Sequence, residues 1–95
     1  MQSGFVYILT NRKDGVLYIG VTNDLATRIE QHRSGRLSSF TRTYNCHRLV
    51  WFEEFDNIHD ARLAERRMKA WRRDWKIRRI EELNPEWNDL SSQLF

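Results

Sequence analysis

The chain contains one cysteine and no long apolar run among its 95 residues. Because Cys46 has no second thiol to pair with, a disulfide within the chain and a zinc site built mainly from thiolates are both excluded. No stretch approaches the roughly 18 apolar residues of a membrane span. The N-terminus also lacks the basic region and apolar run of a signal peptide. We therefore expect a cytoplasmic protein with no membrane association.

The length allows one domain with one hydrophobic core. Hydrophobic residues make up 40% of the chain, and four tryptophans and five phenylalanines can fill a core, so we expect an ordered chain. There is no internal repeat, low-complexity tract or linker. We expect a single domain over residues 1–95, with a core at about 4–84 and a C-terminal tail at 85–95 that Trp87 anchors to the body.

Positive charge is concentrated in residues 61–80. This segment has nine Lys/Arg against two acidic residues, a charge of +7, whereas the rest of the chain carries −4. Such a segment is typical of a protein that binds a polyanion, but a solvated helix face has the same composition. Trp71 and Trp75 lie within it. They offer either a stacking platform for bases or, as we favour, core contacts that join two helices.

Two β-branched and aromatic runs, 4–10 and 16–21, predict strands. The polar residues between them end in Asp-Gly, which is a turn signal, so the runs predict an antiparallel hairpin. Both runs are apolar at consecutive positions, so we expect both faces of the sheet to be covered. A third strand is predicted over 47–55, and residues 35–46 are interpreted as a long loop.

Three helices are predicted from their caps and apolar spacing. Asp24 would cap a helix that runs to about Ser34, and Asn57 would cap a second helix. Asp74 is predicted to cap a third, which Pro85 cannot continue. The predicted buried positions of the second and third helices are Ala61, Ala64, Met68, Trp71, Ile77, Ile80 and Leu83. The expected fold is α+β: a small three-stranded antiparallel sheet flanked by three helices in the order β-β-α-β-α-α.

Five polar residues are candidates for chemistry. Tyr7 and Tyr18 lie on the two hairpin strands, and Arg28 and His32 share one face of the first helix because they are four residues apart. Glu65 projects at the border of the buried stripe of the second helix, where a carboxylate can hold a metal ion.

Each candidate also has a purely structural explanation. Strand tyrosines are usually half-buried packing residues. Arg28 could pair with Asp24, and His32 could lie near a helix C-terminus for the dipole. Glu65 has arginines nearby in the sequence and could form an ordinary salt bridge with one of them. No single one of these residues therefore indicates a catalytic site, and only their combination does.

The combination has a specific spacing. Tyr18-Ile19-Gly20 follows Tyr7 by eleven residues, and Phe5-Val6-Tyr7 stands before it as a first triplet. The segment LYIGVTNDLATRIEQHRSG, with Arg28 and His32, continues from the hairpin into the first helix. In these features the sequence resembles the GIY-YIG endonuclease superfamily, in particular its small stand-alone bacterial members. Further matching features are Thr41 in the following loop, Glu65 with Lys69 one turn later, Lys76, and the ending Asn84-Pro85-Glu86-Trp87. The first triplet departs from the family pattern at Phe5 and Val6.

The resemblance implies a catalytic site. Tyr7 and Tyr18 would be the paired tyrosines of the groove, and Arg28 would stabilise negative charge on the scissile phosphate. Glu65 would hold one Mg²⁺ or Mn²⁺ ion. Tyr7, helped by His32, would orient or deprotonate the attacking water, provided that nearby cations lower its pKa. The implied nucleic-acid contacts are Thr41, Arg62, Arg66, Lys69 and Lys76, with Asn84 as a further candidate for the site.

The function expected from this resemblance is a metal-dependent endonuclease that hydrolyses phosphodiester bonds, with DNA favoured over RNA and with repair or nucleic-acid turnover as its setting. A protein partner would supply target specificity, since so small a domain has a small footprint. Two alternatives stay open. One is a non-catalytic nucleic-acid-binding module with the same fold, whose affinity would fall with salt. The other is an interaction domain whose basic helices bind an acidic protein.

Overall fold

The computed structural model describes residues 3–36 and 39–94. The elements in chain order are β1 (Gly4–Thr10), β2 (Leu17–Thr22), α1 (Leu25–Arg33), α2 (Ser39–Tyr44), β3 (Arg48–Phe55), α3 (Ile58–Ala70), α4 (Arg73–Leu83) and a short 3-10 helix (Leu90–Gln93). The predicted α+β class and its three-stranded antiparallel sheet are confirmed. The predicted loop over 35–46 is wrong in part, because Ser39–Tyr44 forms a fourth helix.

The sheet has the order β2-β1-β3, so β1 is the central strand and pairs antiparallel with both neighbours. The predicted β1–β2 hairpin is confirmed. Its turn is closed by a hydrogen bond from the Gly15 backbone N–H to the Arg12 carbonyl at 2.9 Å. A Cβ at Gly15 would lie 2.0 Å from Oδ1 of Asn11, which accepts a hydrogen bond from the Val16 N–H, so glycine is required there.

Each face of the sheet contributes to its own hydrophobic cluster, as the consecutive apolar positions predict. Val6 and Ile8 of β1 lie in one cluster with residues of α3 and α4. Tyr7 and Leu9 alternate with them and lie in the other cluster, which α1 covers. β1 is therefore buried on both sides and holds Tyr7 in a rigid setting.

Side-chain caps start two of the helices as predicted. Oδ1 of Asp24 accepts a hydrogen bond from the Thr27 N–H at 3.2 Å, and Oδ1 of Asn57 accepts one from the Asp60 N–H at 2.9 Å. The cap predicted for α4 is wrong. Arg72 precedes that helix without a side-chain cap, and Asp74 lies in its first turn, where a carboxylate suits the helix dipole.

Two predicted core positions are exposed. Leu83 is 77% exposed. It follows Ile77 by six residues, and at 100° per residue this places its side chain about 120° around the helix from that of Ile77, outside the buried stripe. Trp71 packs against the core, but Trp75 is 47% exposed, since α3 ends before it and the helical spacing of four no longer applies. Within the described ranges, no helix has the length and apolar composition needed to cross a membrane.

The C-terminal residues pack onto the body. Trp87 is fully buried and its Nε1–H donates to Oε2 of Glu81 at 2.8 Å, which confirms the predicted anchor. Asn84 is also buried, and its Nδ2 donates to the carbonyls of Val50 and Asn88. These bonds fasten the segment after α4 to β3.

Candidate active site

Two tyrosines lie side by side on the face of the sheet that α1 covers. Tyr18 of β2 is the register partner of Leu9, which is two residues from Tyr7 and so shares its face. The two ring centroids are 6.4 Å apart. Tyr7 is fully buried, whereas Tyr18 is partly exposed, so the pair extends from the interior to the surface.

Gly20 provides the space that the Tyr7 ring occupies. It is the register partner of Tyr7, and a Cβ at this position would lie 2.4 Å from both Cζ and the hydroxyl oxygen of Tyr7. Carbon atoms in ordinary contact are about 3.5–4.0 Å apart. Any larger residue would therefore push the hydroxyl away from its observed position.

His32 connects the tyrosine pair to α2. Its ring is 1% exposed, with Nε2 at 2.9 Å from the Tyr7 hydroxyl and Nδ1 at 3.1 Å from Oγ1 of Thr41. Its centroid also lies 5.2 Å from that of Tyr18, in an edge contact. Both ring nitrogens are thus engaged, which fixes the orientation of the imidazole.

Burial, followed by the charges of Arg28 and His47, lowers the pKa of His32 to about 4. The ring is therefore neutral near pH 7, and one of its nitrogens donates while the other accepts. A neutral ring gains nothing from the helix dipole, so the dipole explanation of His32 is wrong. The structure also does not support Thr41 as a nucleic-acid contact, since it is fully buried and holds His32 instead.

The pKa of the Tyr7 hydroxyl is shifted by burial and by groups from three other elements. Burial raises its pKa, and Tyr18 and the carboxylate of Glu65 raise it further. The charge of Arg28 and a hydrogen bond from its side chain act in the opposite direction but do not prevail. The expectation that nearby cations lower this pKa is wrong for the protein alone, and Tyr7 is protonated near neutral pH.

Glu65 lies in the middle of α3. Its side chain is 19% exposed, and its Oε2 lies 3.1 Å from Nζ of Lys69 one turn later. It is close enough for its charge to act on Tyr7. The structure thus brings Tyr7, Tyr18, Arg28 and His32 together, with Glu65 within electrostatic range of the same hydroxyl.

The donor set can be compared with the needs of a divalent cation. Glu65 offers one mostly covered carboxylate, and the described part of the chain contains no group of three or more His, Cys, Asp or Glu side chains suited to a metal. Mg²⁺ binds through one or two carboxylates and completes its shell with water and substrate phosphate. Glu65 fits a cation of this kind and does not fit a closed structural metal site.

The remaining predicted contacts are placed differently. Arg62 and Arg66 are exposed on α3, where they can meet a polyanion. Nζ of Lys76 donates to the carbonyl of Lys69 at 3.3 Å, which ties α4 to the end of α3. Asn84 bonds to β3 and the tail, as described above, so its side chain has a structural role and its predicted contribution to the site has no support.

Two aromatic residues of the site were not predicted. Phe40 of α2 lies 5.8 Å from Tyr18 between ring centroids, and Tyr44 lies 4.8 Å from Phe40. They are 39% and 48% exposed and continue the line of rings from Tyr18 to the surface. Their spacing of four residues was a helical signal within the segment interpreted as a loop.

Comparison with known proteins gives a family match over most of the chain. The family described as GIY-YIG catalytic domain matches residues 3–78. A UPF0213 protein of Pediococcus pentosaceus is 35% identical over 80 residues, which cover 84% of each chain. A UPF0213 protein of Staphylococcus aureus is 34% identical over 82 residues, which cover 86% of this chain and 99% of the relative.

A solved structure has the same fold. The solution NMR structure of a UPF0213 protein from Bacillus halodurans superposes with a TM-score of 0.57 at 31% sequence identity, and the alignment covers 92% of each chain. The name UPF0213 specifies no activity, so these relatives support the fold and the family but no particular reaction.

Proposed function

Because the chain belongs to the GIY-YIG family, a family of nucleases, we propose that it is a metal-dependent endonuclease that hydrolyses phosphodiester bonds of nucleic acid. The observation that carries this proposal is the grouping of Tyr18, Arg28 and His32 around Tyr7, with the charge of Glu65 acting on the Tyr7 hydroxyl. These side chains come from β1, β2, α1 and α3, so only the folded chain assembles them.

The proposed roles follow from the chemistry of each group. Arg28, with a planar fork of donors, would bind the scissile phosphate and stabilise the charge that develops on it. Tyr7 and His32 share a hydrogen bond of 2.9 Å, so the Tyr7 hydroxyl would orient the attacking water and accept its proton while passing its own proton to Nε2 of His32. Thr41 acts through His32 and is a positioning residue.

The raised pKa of Tyr7 sets a condition on this chemistry. Burial is the largest cause of the raised pKa, and the negative charge of Glu65, which is paired with Lys69, makes the smallest contribution. When that charge is neutralised, its contribution to the pKa disappears, and Arg28 continues to favour the phenolate. A cation bound at Glu65 would therefore remove one of the smaller contributions to the raised pKa of Tyr7, and burial, the largest, would remain.

Glu65 is the proposed ligand for one Mg²⁺ or Mn²⁺ ion. Such an ion, when bound, neutralises developing charge on the leaving oxygen. Lys69 pairs with Glu65 but is 56% exposed, so it can turn away from the carboxylate. Its ammonium would then be available to a phosphate.

The substrate is proposed to be nucleic acid, with DNA favoured over RNA. The segment 61–80 carries +7, and its exposed Arg62 and Arg66 lie on the helix that presents Glu65. Phe40 and Tyr44 offer exposed rings for base contacts next to Tyr18. A cytoplasmic setting in repair or nucleic-acid turnover, and a protein partner that supplies target specificity, belong to the same proposal.

The test is a cleavage assay on labelled DNA and RNA of several structures, with and without Mg²⁺ or Mn²⁺. Glu65→Gln removes the charge and keeps the shape, so we expect cleavage to be abolished while circular dichroism and binding are retained. Glu54→Gln, at an exposed carboxylate of β3, is the matched control and should cleave as the wild type does. Undiminished cleavage by the Glu65 variant would overturn the proposal.

A second candidate function is a nucleic-acid-binding module without catalysis. The ion pair of Lys69 with Glu65 favours it, because the carboxylate already has a cationic partner at 3.1 Å. This candidate predicts binding without cleavage across all substrates and metals. Its log affinity should fall linearly with log salt, with a slope that reports the number of phosphates contacted.

A further inference from the structure

A cavity of about 170 Å³ lies at the junction of α3 and α4, and the tyrosine pair does not line it. Its walls are Trp71, Trp75, Arg78, Arg79 and Glu82. Trp71 is the C-cap residue that follows α3, and Trp75 belongs to the first turn of α4, so the bend between the helices forms the cavity. The lining is aromatic and basic with one carboxylate.

Arginines hold the aromatic walls in place. The guanidinium of Arg79 lies 5.0 Å from the ring centroid of Trp71, and that of Arg72 lies 5.2 Å from the ring centroid of Trp75. The two indole rings are 6.4 Å apart and inclined at 71°. Contacts of this kind stabilise a ring orientation, so Trp75 remains an ordered surface although it is 47% exposed.

We infer that this cavity binds an unpaired nucleobase of the nucleic acid on which the site acts, an inference that rests on the proposed function. A base is planar and neutral, with apolar faces that stack on indole rings and N–H groups at its edge. The carboxylate of Glu82 pairs with Nε of Arg79 at 3.8 Å through Oε1, and it can still accept a hydrogen bond from such an N–H group. The arginines around the cavity suit the backbone outside it.

The position of the cavity fits a nucleotide that flanks the bond to be cut. Trp71 follows Glu65 by six residues, which is about 9 Å along the axis of α3. The exposed Arg66 and Lys69 lie between them on the same helix. A duplex keeps its bases stacked inside, so the cavity selects substrates with a single-stranded or unpaired segment.

The test compares two strands with the same number of phosphates. One is a fluorescently labelled single-stranded DNA oligonucleotide, and the other is a deoxyribose-phosphate strand of equal length that lacks bases. Binding is measured by anisotropy in a buffer with chelator, so that cleavage does not intervene. Base stacking contributes about 1–3 kcal/mol per base, so the wild type should bind the base-bearing strand about 5- to 150-fold more tightly.

Trp75→Ala should lower this preference at least about 5-fold, with any remainder coming from the rings of Phe40 and Tyr44, and Trp75→Phe, which keeps a ring, should retain most of it. Leu83→Ala is the matched control, because it truncates an exposed apolar residue of α4 that does not line the cavity. Affinity for the strand without bases should be equal in all four proteins, since the phosphate contacts are unchanged. Circular dichroism checks that each variant is folded.

An unchanged preference in Trp75→Ala, or an equal loss of affinity for both strands, would overturn the inference. Its failure is distinct from failure of the proposed function. Cleavage together with equal binding of the strands with and without bases would contradict the base site alone. Base-dependent binding without cleavage under any metal condition would leave the base site standing and sink the nuclease.

Discussion

Gly20→Ala tests the packing on which the site depends. The added Cβ would lie 2.4 Å from Cζ and from the hydroxyl oxygen of Tyr7, so the ring would have to retreat by about 1 Å to reach ordinary contact. Tyr7 is fully buried and its hydroxyl bonds to His32 at 2.9 Å. A shift of this size breaks that hydrogen bond, because His32 is buried too and is held by Thr41 on its other side.

The expected cost follows from the contacts involved. Overpacking of a filled core costs about 1–3 kcal/mol. Loss of the Tyr7–His32 hydrogen bond adds about 1 kcal/mol, and the smaller backbone entropy of alanine in the unfolded chain offsets a part of this. We expect a net loss of about 1–3 kcal/mol, and a domain of this size loses roughly 4–8 °C in Tm for each kcal/mol.

Urea unfolding measures this loss, and a double-mutant cycle assigns it. In a Tyr7→Leu background the clashing atoms are absent, so Gly20→Ala should cost about 0.5 kcal/mol or less. Cleavage by Gly20→Ala should fall although the fold persists, since the hydroxyl is displaced. An unchanged stability of the single variant, or an equal cost in both backgrounds, would refute the packing explanation.

Three further predictions concern His32, Trp87 and Asn57. The unfolded state binds a proton on His32 with a pKa near 6.5 and the folded state with a pKa of about 4, so stability conferred by the neutral ring is lost as pH falls from 6.5 towards 4. The difference in unfolding free energy between wild type and His32→Gln should therefore shrink by up to about 3 kcal/mol between pH 7 and pH 4, and a widening difference would contradict the burial of a neutral ring. Trp87→Ala should destabilise by about 3–5 kcal/mol in urea unfolding, because it empties a fully buried position, and a loss below 1 kcal/mol would show that the tail is dispensable. Asn57→Ala should lower Tm by removing the cap of α3, at about 0.5–2 kcal/mol, whereas Asp74→Ala, which removes no cap, should cost less.

Local signals predicted most of the elements. Asp24 and Asn57 are followed by apolar residues at helical spacing, and both cap helices in the structure. α2 was missed because six residues with serine, threonine and a single apolar pair give a weak pattern, and tertiary contacts with Tyr18 support the helix. The strand order β2-β1-β3 could not be read from the chain, since it depends on a pairing of β1 with the distant β3.

In the candidate site too, local spacing could be predicted from the sequence and tertiary contacts could not. Tyr7 and Tyr18 share a face because of strand alternation, and Arg28 and His32 share one because of helical spacing, so both pairings could be predicted. The role of Thr41 could not, because it depends on burial against His32. The direction in which the Tyr7 pKa is shifted could not be predicted either. It depends on how deeply the hydroxyl is buried and on how near it lies to Tyr18, Arg28 and Glu65, which belong to three other elements.

The central claim is that Tyr7 and Glu65 serve one reaction centre. Single-turnover cleavage rates of one labelled DNA, measured for wild type, Tyr7→Phe, Glu65→Gln and the double variant, test it most directly. Groups that act as a unit are non-additive, so the double variant should be no slower than the slower single variant. Rate losses that multiply in the double variant, or a single variant that cleaves at the wild-type rate, would contradict the account.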